Sequence, residues 1–125
     1  MNGITLDAGA LIALDRNHRR VIALIERCRD LGMRITIPAS ALAQAMRSPM
    51  KQARLSRLIR QPETQLVPLD GPDATAVGLL LAKTGTSDVA GAHVVVCARR
   101  AEQAVVTSDP NDLRRLAPEL DVVEV

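Results

Sequence analysis

The chain has 125 residues, of which 47% are hydrophobic and 24% charged, and its formal net charge is +2. These values are typical of one folded domain and exclude a disordered chain. Because the chain contains no Phe, Tyr or Trp, the composition also argues against a nucleic-acid-binding module that stacks bases on aromatic side chains.

The two cysteines and the hydropathy pattern bear on the cellular compartment. Cys28 and Cys97 each lie within an apolar helical pattern and lack metal-ligand spacing. We therefore expect two small core residues in a reducing cytosol. No secretory signal precedes Asp7, and no apolar run approaches the length of a membrane span. These features favour a cytoplasmic protein that does not associate with a membrane.

The opening stretch places a carboxylate within an apolar run. Ile4 to Leu6 has the character of a short buried strand, and Leu11 to Leu14 suits a helix that follows a turn. Asp7 is therefore expected at the carboxyl end of a strand, where ligand sites form in open α/β sheets. A buried, unpaired carboxylate costs several kcal/mol, so it needs a partner, a capping role or a cation. This stretch alone supports a helix cap and a ligand site equally.

Alternating helices and strands are predicted along the rest of the chain. The helices are expected at Asp15–Leu31, Ala39–Arg47, Met50–Arg60, Gly71–Lys83 and Leu113–Leu116, and a further helix opens at Asp88 and carries the apolar run Ala92–Ala98. The strands are expected at Arg34–Ile37, Leu66–Leu69, Ala104–Thr107 and Asp121–Val125. This order predicts a single α/β domain over residues 1–125, with a parallel sheet of about four or five short strands and helices on both faces.

Basic residues recur at three- and four-residue steps near the predicted third helix. They are Arg47, Lys51, Arg54, Arg57 and Arg60. A basic stripe on a small domain is usually a solvated face. The alternative is an electrostatic guide for a polyanion, which gains weight if an anion-handling site occurs elsewhere in the chain.

Three carboxylates occupy equivalent topological positions. Asp7 and Asp109 each follow a strand, so we expect them at the same edge of a parallel sheet. Asp88 begins the central apolar helix and can face the same crevice, and Asp112 lies close enough to Asp109 to extend the cluster. Each acid alone is better explained as a helix cap or a turn residue. Their coincidence favours a common site.

Converging carboxylates repel one another, and a divalent cation removes that penalty. Oxygen ligands from Asp, with room for water, suit Mg²⁺ or Mn²⁺. Such a cation activates water for attack on a phosphodiester. The hydroxyls of Thr107 and Ser108, beside Asp109, suit the holding of water or a phosphate oxygen. The cluster therefore predicts metal-dependent phosphodiester chemistry.

These motifs together resemble a PIN domain, and more narrowly the VapC-type toxins of bacterial toxin–antitoxin pairs. The resemblance is carried by the strand before Asp7, by Thr86-Ser87-Asp88 at the start of the apolar helix, and most specifically by the segment Val105–Leu113. It extends over nearly the whole chain. It implies a Mg²⁺- or Mn²⁺-dependent endoribonuclease that forms a homodimer and is neutralised by a cognate antitoxin covering the acidic site.

The resemblance also implies roles for individual residues. Asp7, Asp88 and Asp109 match the catalytic, metal-binding acids. Asp112 matches a plausible accessory acid. Under the ribonuclease hypothesis, Thr107 or Ser108 would orient water, and the basic residues Arg47, Lys51, Arg54 and Arg57 would guide RNA.

Two positions depart from the family pattern. Gln44 stands where many PIN domains carry Glu, and Gly91 stands where a second Asp often follows the central one. Gln44 can contact water or RNA but supplies no charge, and Gly91 removes an expected ligand.

Two hypotheses follow. The first is a metal-dependent ribonuclease toxin, weakened by Gly91. The second is a catalytically inactive PIN-fold binding module that retains antitoxin or RNA binding. His93 lies on a different helical face from position 91 within an apolar helix, so we expect a hydrogen-bonded structural histidine and not a general base.

Overall fold

The protein forms a five-stranded parallel sheet in a computed structural model that describes residues 2–125. The strands are β1 (Gly3–Leu6), β2 (Arg34–Pro38), β3 (Thr64–Val67), β4 (Ala104–Thr107) and β5 (Val122–Glu124). Their order across the sheet is β3-β2-β1-β4-β5, and every neighbouring pair is parallel. The predicted parallel α/β fold is confirmed.

Seven helices connect the strands within residues 2–125. They are α1 (Ala8–Asp15), α2 (Arg19–Asp30), α3 (Ala39–Ala45), α4 (Ala53–Ile59), α5 (Gly71–Thr84), α6 (Val89–Ala101) and α7 (Pro110–Leu116). Because strands β1 and β4 are central and adjacent, the loops that follow them lie side by side at one edge of the sheet.

The predicted helix Asp15–Leu31 is wrong at its start. The first helix continues to Asp15, and α2 begins only at Arg19. Asn17, between them, has a left-handed φ of 63°, which a continuous helix does not allow. Apolar spacing alone gave no sign of this break.

The predicted helix Met50–Arg60 is wrong over its first turn. Met50 and Lys51 lie in a turn, and α4 begins at Ala53. The buried Gln52 fixes this turn: its side-chain oxygen accepts from the N–H groups of Arg47 and Ser48 at 2.7 and 2.9 Å. Its side-chain NH₂ group donates to the carbonyl of Ala45 at 2.9 Å.

The predicted strand Leu66–Leu69 is displaced by two residues. β3 spans Thr64–Val67 and pairs with β2 from Ile35 opposite Thr64 to Pro38 opposite Val67. Pro68 has no N–H to extend the ladder, so the strand ends before it.

Aliphatic side chains build the core on both faces of the sheet. The central strands bury Ile4, Leu6, Val105 and Val106 to 1% exposure or less. Helix α6 is buried along most of its length and packs against α3, α5 and β2, which confirms the central position expected of this apolar helix. Among residues 2–125, no helix combines the length and apolar character needed to cross a membrane.

Candidate functional site

Asp7 follows the central strand β1 and caps helix α1. Its Oδ1 accepts a hydrogen bond from the N–H of Ala10 at 2.8 Å. Leu6 pairs with Val106 in the neighbouring strand, so the chain leaves β1 and β4 at the same level. The cap and the position at the sheet edge therefore coexist in one residue.

The loop after β4 brings Asp109 to the same edge. The fully buried Thr107 accepts a hydrogen bond from the N–H of Asp109 through its hydroxyl at 2.9 Å. Asp109 in turn caps α7, accepting from the N–H of Asp112 at 3.3 Å. A Cβ at Gly9 would lie 2.2 Å from Oγ of Ser108, so the absent side chain lets the two loops approach closely.

Asp88 caps α6 and covers the position of the missing acid. Its Oδ1 accepts from the N–H of Gly91 at 2.9 Å. A Cβ on Gly91 would lie 2.2 Å from Oδ2 of the same carboxylate. The Asp88 carboxylate therefore occupies the space that a side chain at position 91 would enter.

These acids share one cleft of about 160 Å³ at the carboxyl edge of the sheet. Its lining residues within the described chain are Asp7, Ala8, Gly9, Gln44, Asp88, Ala90, Gly91, Val94, Ser108, Asp109, Asp112 and Leu113. Four of them are aspartates, and none is Lys or Arg. The sheet edge thus brings together every predicted acid, along with Gln44, Gly91 and Ser108. Thr107 is fully buried and is not among the lining residues of the cleft.

The surroundings of two cleft carboxylates, Asp7 and Asp112, disfavour their ionised forms. Burial raises the pKa of Asp7, and the charge of Asp109 raises it further, against the lowering effects of the Thr107 hydroxyl and nearby backbone N–H groups. A hydrogen bond with Asp109 and the charge of that residue raise the pKa of the exposed Asp112. An oxygen-only donor set with this excess of negative charge fits a hard divalent cation.

The predicted basic stripe divides into separate groups. Arg47 and Lys51 lie outside α4, and the guanidinium of Arg47 donates to the carbonyls of Ala43 and Met46 at 3.0 and 2.8 Å. Arg54 and Arg57 border a groove of about 390 Å³ between α2 and α4. None of these four basic residues lines the acidic cleft.

His93 lies apart from the acidic cleft in a buried polar network. It is fully buried; its Nδ1 lies 3.0 Å from Oγ of Ser40, and its Nε2 lies 3.0 Å from Oδ2 of Asp73. The expected hydrogen bonding of a buried histidine within the apolar helix is confirmed. Its partner Asp73, which also pairs with Arg100, was not predicted, because the two residues lie 20 positions apart on different helices.

Comparison with known proteins gives one family match. The family model described as PIN domain matches residues 4–118, which is most of the chain and includes all the acids of the cleft. No curated protein is a significant sequence match.

Several solved structures have a similar fold. VapBC2 from Rickettsia felis, bound to a DNA fragment from its promoter, has a TM-score of 0.67 at 14% identity, covering 98% of both chains. FitAcB from Neisseria gonorrhoeae has a TM-score of 0.61 at 18% identity, covering 97% of this chain and 96% of its own. FitAB bound to an IR36 DNA fragment has a TM-score of 0.61 at 17% identity, with 97% and 94% covered.

Proposed function

Because the chain belongs to the PIN domain family, we propose that it is a metal-dependent endoribonuclease, the toxin of a type II toxin–antitoxin system. PIN domains are generally nucleases. The similar solved structures are PIN-domain structures of the VapBC and FitAB toxin–antitoxin systems. The RNA substrate, the Mg²⁺ or Mn²⁺ cofactor and the homodimer are taken from the resemblance to VapC-type toxins.

One observation carries this proposal. Asp7, Asp88 and Asp109, each at the end of a strand or the start of a helix, line one small cleft that contains no Lys or Arg among its described lining residues. Burial first, and the charge of Asp109 second, raise the pKa of Asp7, and no Lys or Arg side chain among the described lining residues offsets this cost. Uncompensated charge of this kind is more typical of a functional site than of a structural one.

The polar side chains of the cleft would each have a role in this reaction. Asp7, Asp88 and Asp109 would hold Mg²⁺ or Mn²⁺, which supplies Lewis-acid chemistry for phosphodiester hydrolysis when bound. Ser108, which lines the cleft, would offer its hydroxyl to water or a phosphate oxygen, and Gln44, also in the lining, would offer a neutral amide. Asp112 adds an exposed carboxylate at the rim.

Thr107 acts from outside the lining of the cleft. Its buried hydroxyl accepts from the N–H of Asp109 and lowers the pKa of Asp7. We therefore assign it to positioning the two acids, while Ser108 is the hydroxyl that faces substrate. Of the basic residues, Arg54 and Arg57 share one exposed surface and are the better candidates for guiding RNA than Arg47 and Lys51.

Substitution of Asp7 by Ala tests the enzyme proposal. We expect Asp7→Ala to reduce cleavage of a mixed structured RNA, with Mn²⁺ present, to the level measured with chelator. Asp70→Ala is the matched control, because Asp70 also caps a helix, accepting from the N–H of Asp73 at 3.0 Å, but lies outside the cleft. Both variants lose a cap worth about 1 kcal/mol. Full metal-dependent cleavage by a folded Asp7→Ala protein would reject the assignment.

The second candidate function is a binding module without catalysis. It is favoured by the neutral residues Gln44 and Gly91 in the cleft wall and by the groove between α2 and α4. The lining of the groove includes the apolar residues Leu14, Ile22 and Ile25. It also includes Arg29, Arg54 and Arg57, which outnumber its one carboxylate, Glu26. Such a surface suits an amphipathic antitoxin segment that carries acidic residues.

Complex formation separates the two functions. The antitoxin should co-purify with this protein in the presence of chelator, and Arg54→Glu combined with Arg57→Glu should weaken the complex through like-charge repulsion. A stable complex combined with no cleavage under any metal condition would favour the binding module. If the protein cleaved RNA but did not bind the antitoxin, the binding module would be rejected.

A further inference from the structure

A second group of metal-ligating side chains lies away from the acidic cleft, between α5 and α6. His93 and Cys97 are one turn apart on α6, with 0% and 2% of their surface exposed, and Asp73 on α5 is 4% exposed. One ligand atom from each residue lies within 4.8 Å of the other two. Imidazole, thiolate and carboxylate are the three ligand types that Zn²⁺ takes in proteins.

Outer hydrogen bonds already orient two of these ligands. Nδ1 of His93 lies 3.0 Å from the hydroxyl of Ser40, which leaves Nε2 directed toward Asp73. The guanidinium of Arg100 pairs with Oδ1 of Asp73 and reaches Oδ2 only at 3.5 Å, whereas Oδ2 lies 3.0 Å from Nε2 of the histidine. Metal-bound histidines and carboxylates in proteins are held by partners of this kind.

A cavity at the amino edge of the sheet reaches one of the three proposed ligands, Cys97. It has a volume of about 530 Å³, and both Cys97 and Arg100 line it, together with Thr36 and Gln103. A cation can reach the sulfur by this route, and a water molecule from the cavity can supply a fourth ligand. The acidic cleft lies at the opposite edge of the sheet and shares no lining residue with this cavity.

We propose that Asp73, His93 and Cys97 form a binding site for a thiophilic divalent cation of the Zn²⁺ type, separate from the acidic cleft. The sulfur and imidazole donors distinguish it from the oxygen-only cleft, which suits harder cations. Sequence spacing alone did not reveal this site, because Cys97 has no second cysteine nearby and Asp73 comes from another helix.

Binding at this site releases one proton. Without a cation, Nε2–H of His93 donates to Asp73 and the thiol of Cys97 is protonated, since burial raises its pKa to about 12. On binding, the thiol proton leaves to solvent and the imidazole proton moves to Nδ1, where it donates to Ser40. A serine hydroxyl can donate or accept, so the network satisfies both tautomers. The metal bond keeps the thiolate deprotonated.

Cobalt titration tests the proposal. Co²⁺ added to the full chain should produce the near-ultraviolet absorption of a thiolate–Co²⁺ bond, and Zn²⁺ should abolish it by competition. Cys97→Ala should eliminate the band, whereas Cys28→Ala, at the other buried cysteine, should leave it unchanged. Ser40→Ala should weaken Co²⁺ binding about 10- to 100-fold by removing the partner of Nδ1.

The outcomes are independent of RNA cleavage. Asp7→Ala should retain the band, which separates this site from the acidic cleft and from the proposed nuclease. The proposal is overturned if the folded wild-type protein shows no such band, or if the band survives in Cys97→Ala. Asp73→Asn serves as a second variant: a folded protein that binds Co²⁺ as tightly as wild type would exclude Asp73 as a ligand.

Discussion

Asp7 and Asp73 are the same residue type in opposite electrostatic surroundings. Asp7 lies in the acidic cleft, where burial and the charge of Asp109 raise its pKa. Asp73 lies beneath Arg100 and His93, and the hydrogen bond from Arg100 lowers its pKa despite burial. The protein thus pairs Asp73 with Arg100 and leaves Asp7 without a cationic side chain. This arrangement is expected when a bound cation balances the charge of Asp7 during function.

The largest stability effect is expected from removing the charge of the internally paired acid. Asp73→Asn leaves Arg100 without its partner and weakens the contact to the fully buried His93. Because Arg100 is about half exposed, we expect a loss of about 1–2 kcal/mol in the free energy of unfolding, measured by urea denaturation at neutral pH.

The pH dependence of that loss follows from the lowered pKa of Asp73. The contribution is fully present above the ordinary pKa of Asp, about 3.9, and is lost as the pH falls through the lower folded value. The difference between wild type and Asp73→Asn should therefore shrink in acid. Asp70→Asn, on an exposed helix cap, is the control and should change stability little. A difference that stays constant down to low pH would argue against the ion pair.

Asp7 and Asp73 also differ in how well their surroundings could be predicted from the sequence. The cleft acids were predictable because each one follows a strand or starts a helix, and a parallel sheet brings such positions to one edge. The pairing of Asp73 could not be predicted in this way. Its partners His93 and Arg100 lie in the middle and at the end of α6, and only the packing of α5 on α6 brings Asp73 to them.

The helix boundaries depend on local side-chain hydrogen bonds and on one backbone conformation, which limited their prediction from the sequence. The start of α4 depends on the bonds that buried Gln52 makes to three backbone groups, and the break before α2 depends on one left-handed residue, Asn17. Hydrophobic periodicity carries no information about either feature, so the order of elements was correct while these two boundaries were not. The predicted start of the last helix at Leu113 was also wrong: α7 begins at Pro110, because Asp109 caps it by accepting from the N–H of Asp112.

A carboxylate at position 91 would increase the difference between the acidic cleft and the neutralised Asp73, because it adds negative charge to the cleft. In Gly91→Asp the new Cβ forces the Asp88 carboxylate from its present place, where it would lie 2.2 Å away. We expect Asp88 to leave its cap and both acids to face the cleft, which should tighten Mn²⁺ binding about tenfold because the ligand charge rises. Isothermal titration calorimetry measures this directly, and cleavage should increase in parallel.

Gly91→Ala is the matched control for that variant. It introduces the same Cβ and displaces Asp88 in the same way but adds no charge. Its gain in helix propensity, about 1 kcal/mol, opposes the loss of a cap of similar size, so its stability should stay near that of wild type. If Gly91→Ala tightened Mn²⁺ binding as much as Gly91→Asp, the effect would come from moving Asp88 and not from the added ligand.

The smallest effect is expected from neutralising Asp7 without removing its cap. Asn keeps an oxygen that can accept from the N–H of Ala10, while the ionised form that burial disfavours is lost. Because the folded pKa of Asp7 is raised, its ionisation destabilises the fold at neutral pH, and this cost disappears as the pH falls through the folded value. In chelator, Asp7→Asn should therefore unfold about 2–4 °C above wild type at neutral pH, with the gain vanishing at about pH 4. Added Mn²⁺ should reverse the order by stabilising wild type alone. Equal melting temperatures for the two proteins in chelator would show that ionised Asp7 does not destabilise the fold. Asp7 and Asp73 would then differ in their neighbours and not in their effect on stability.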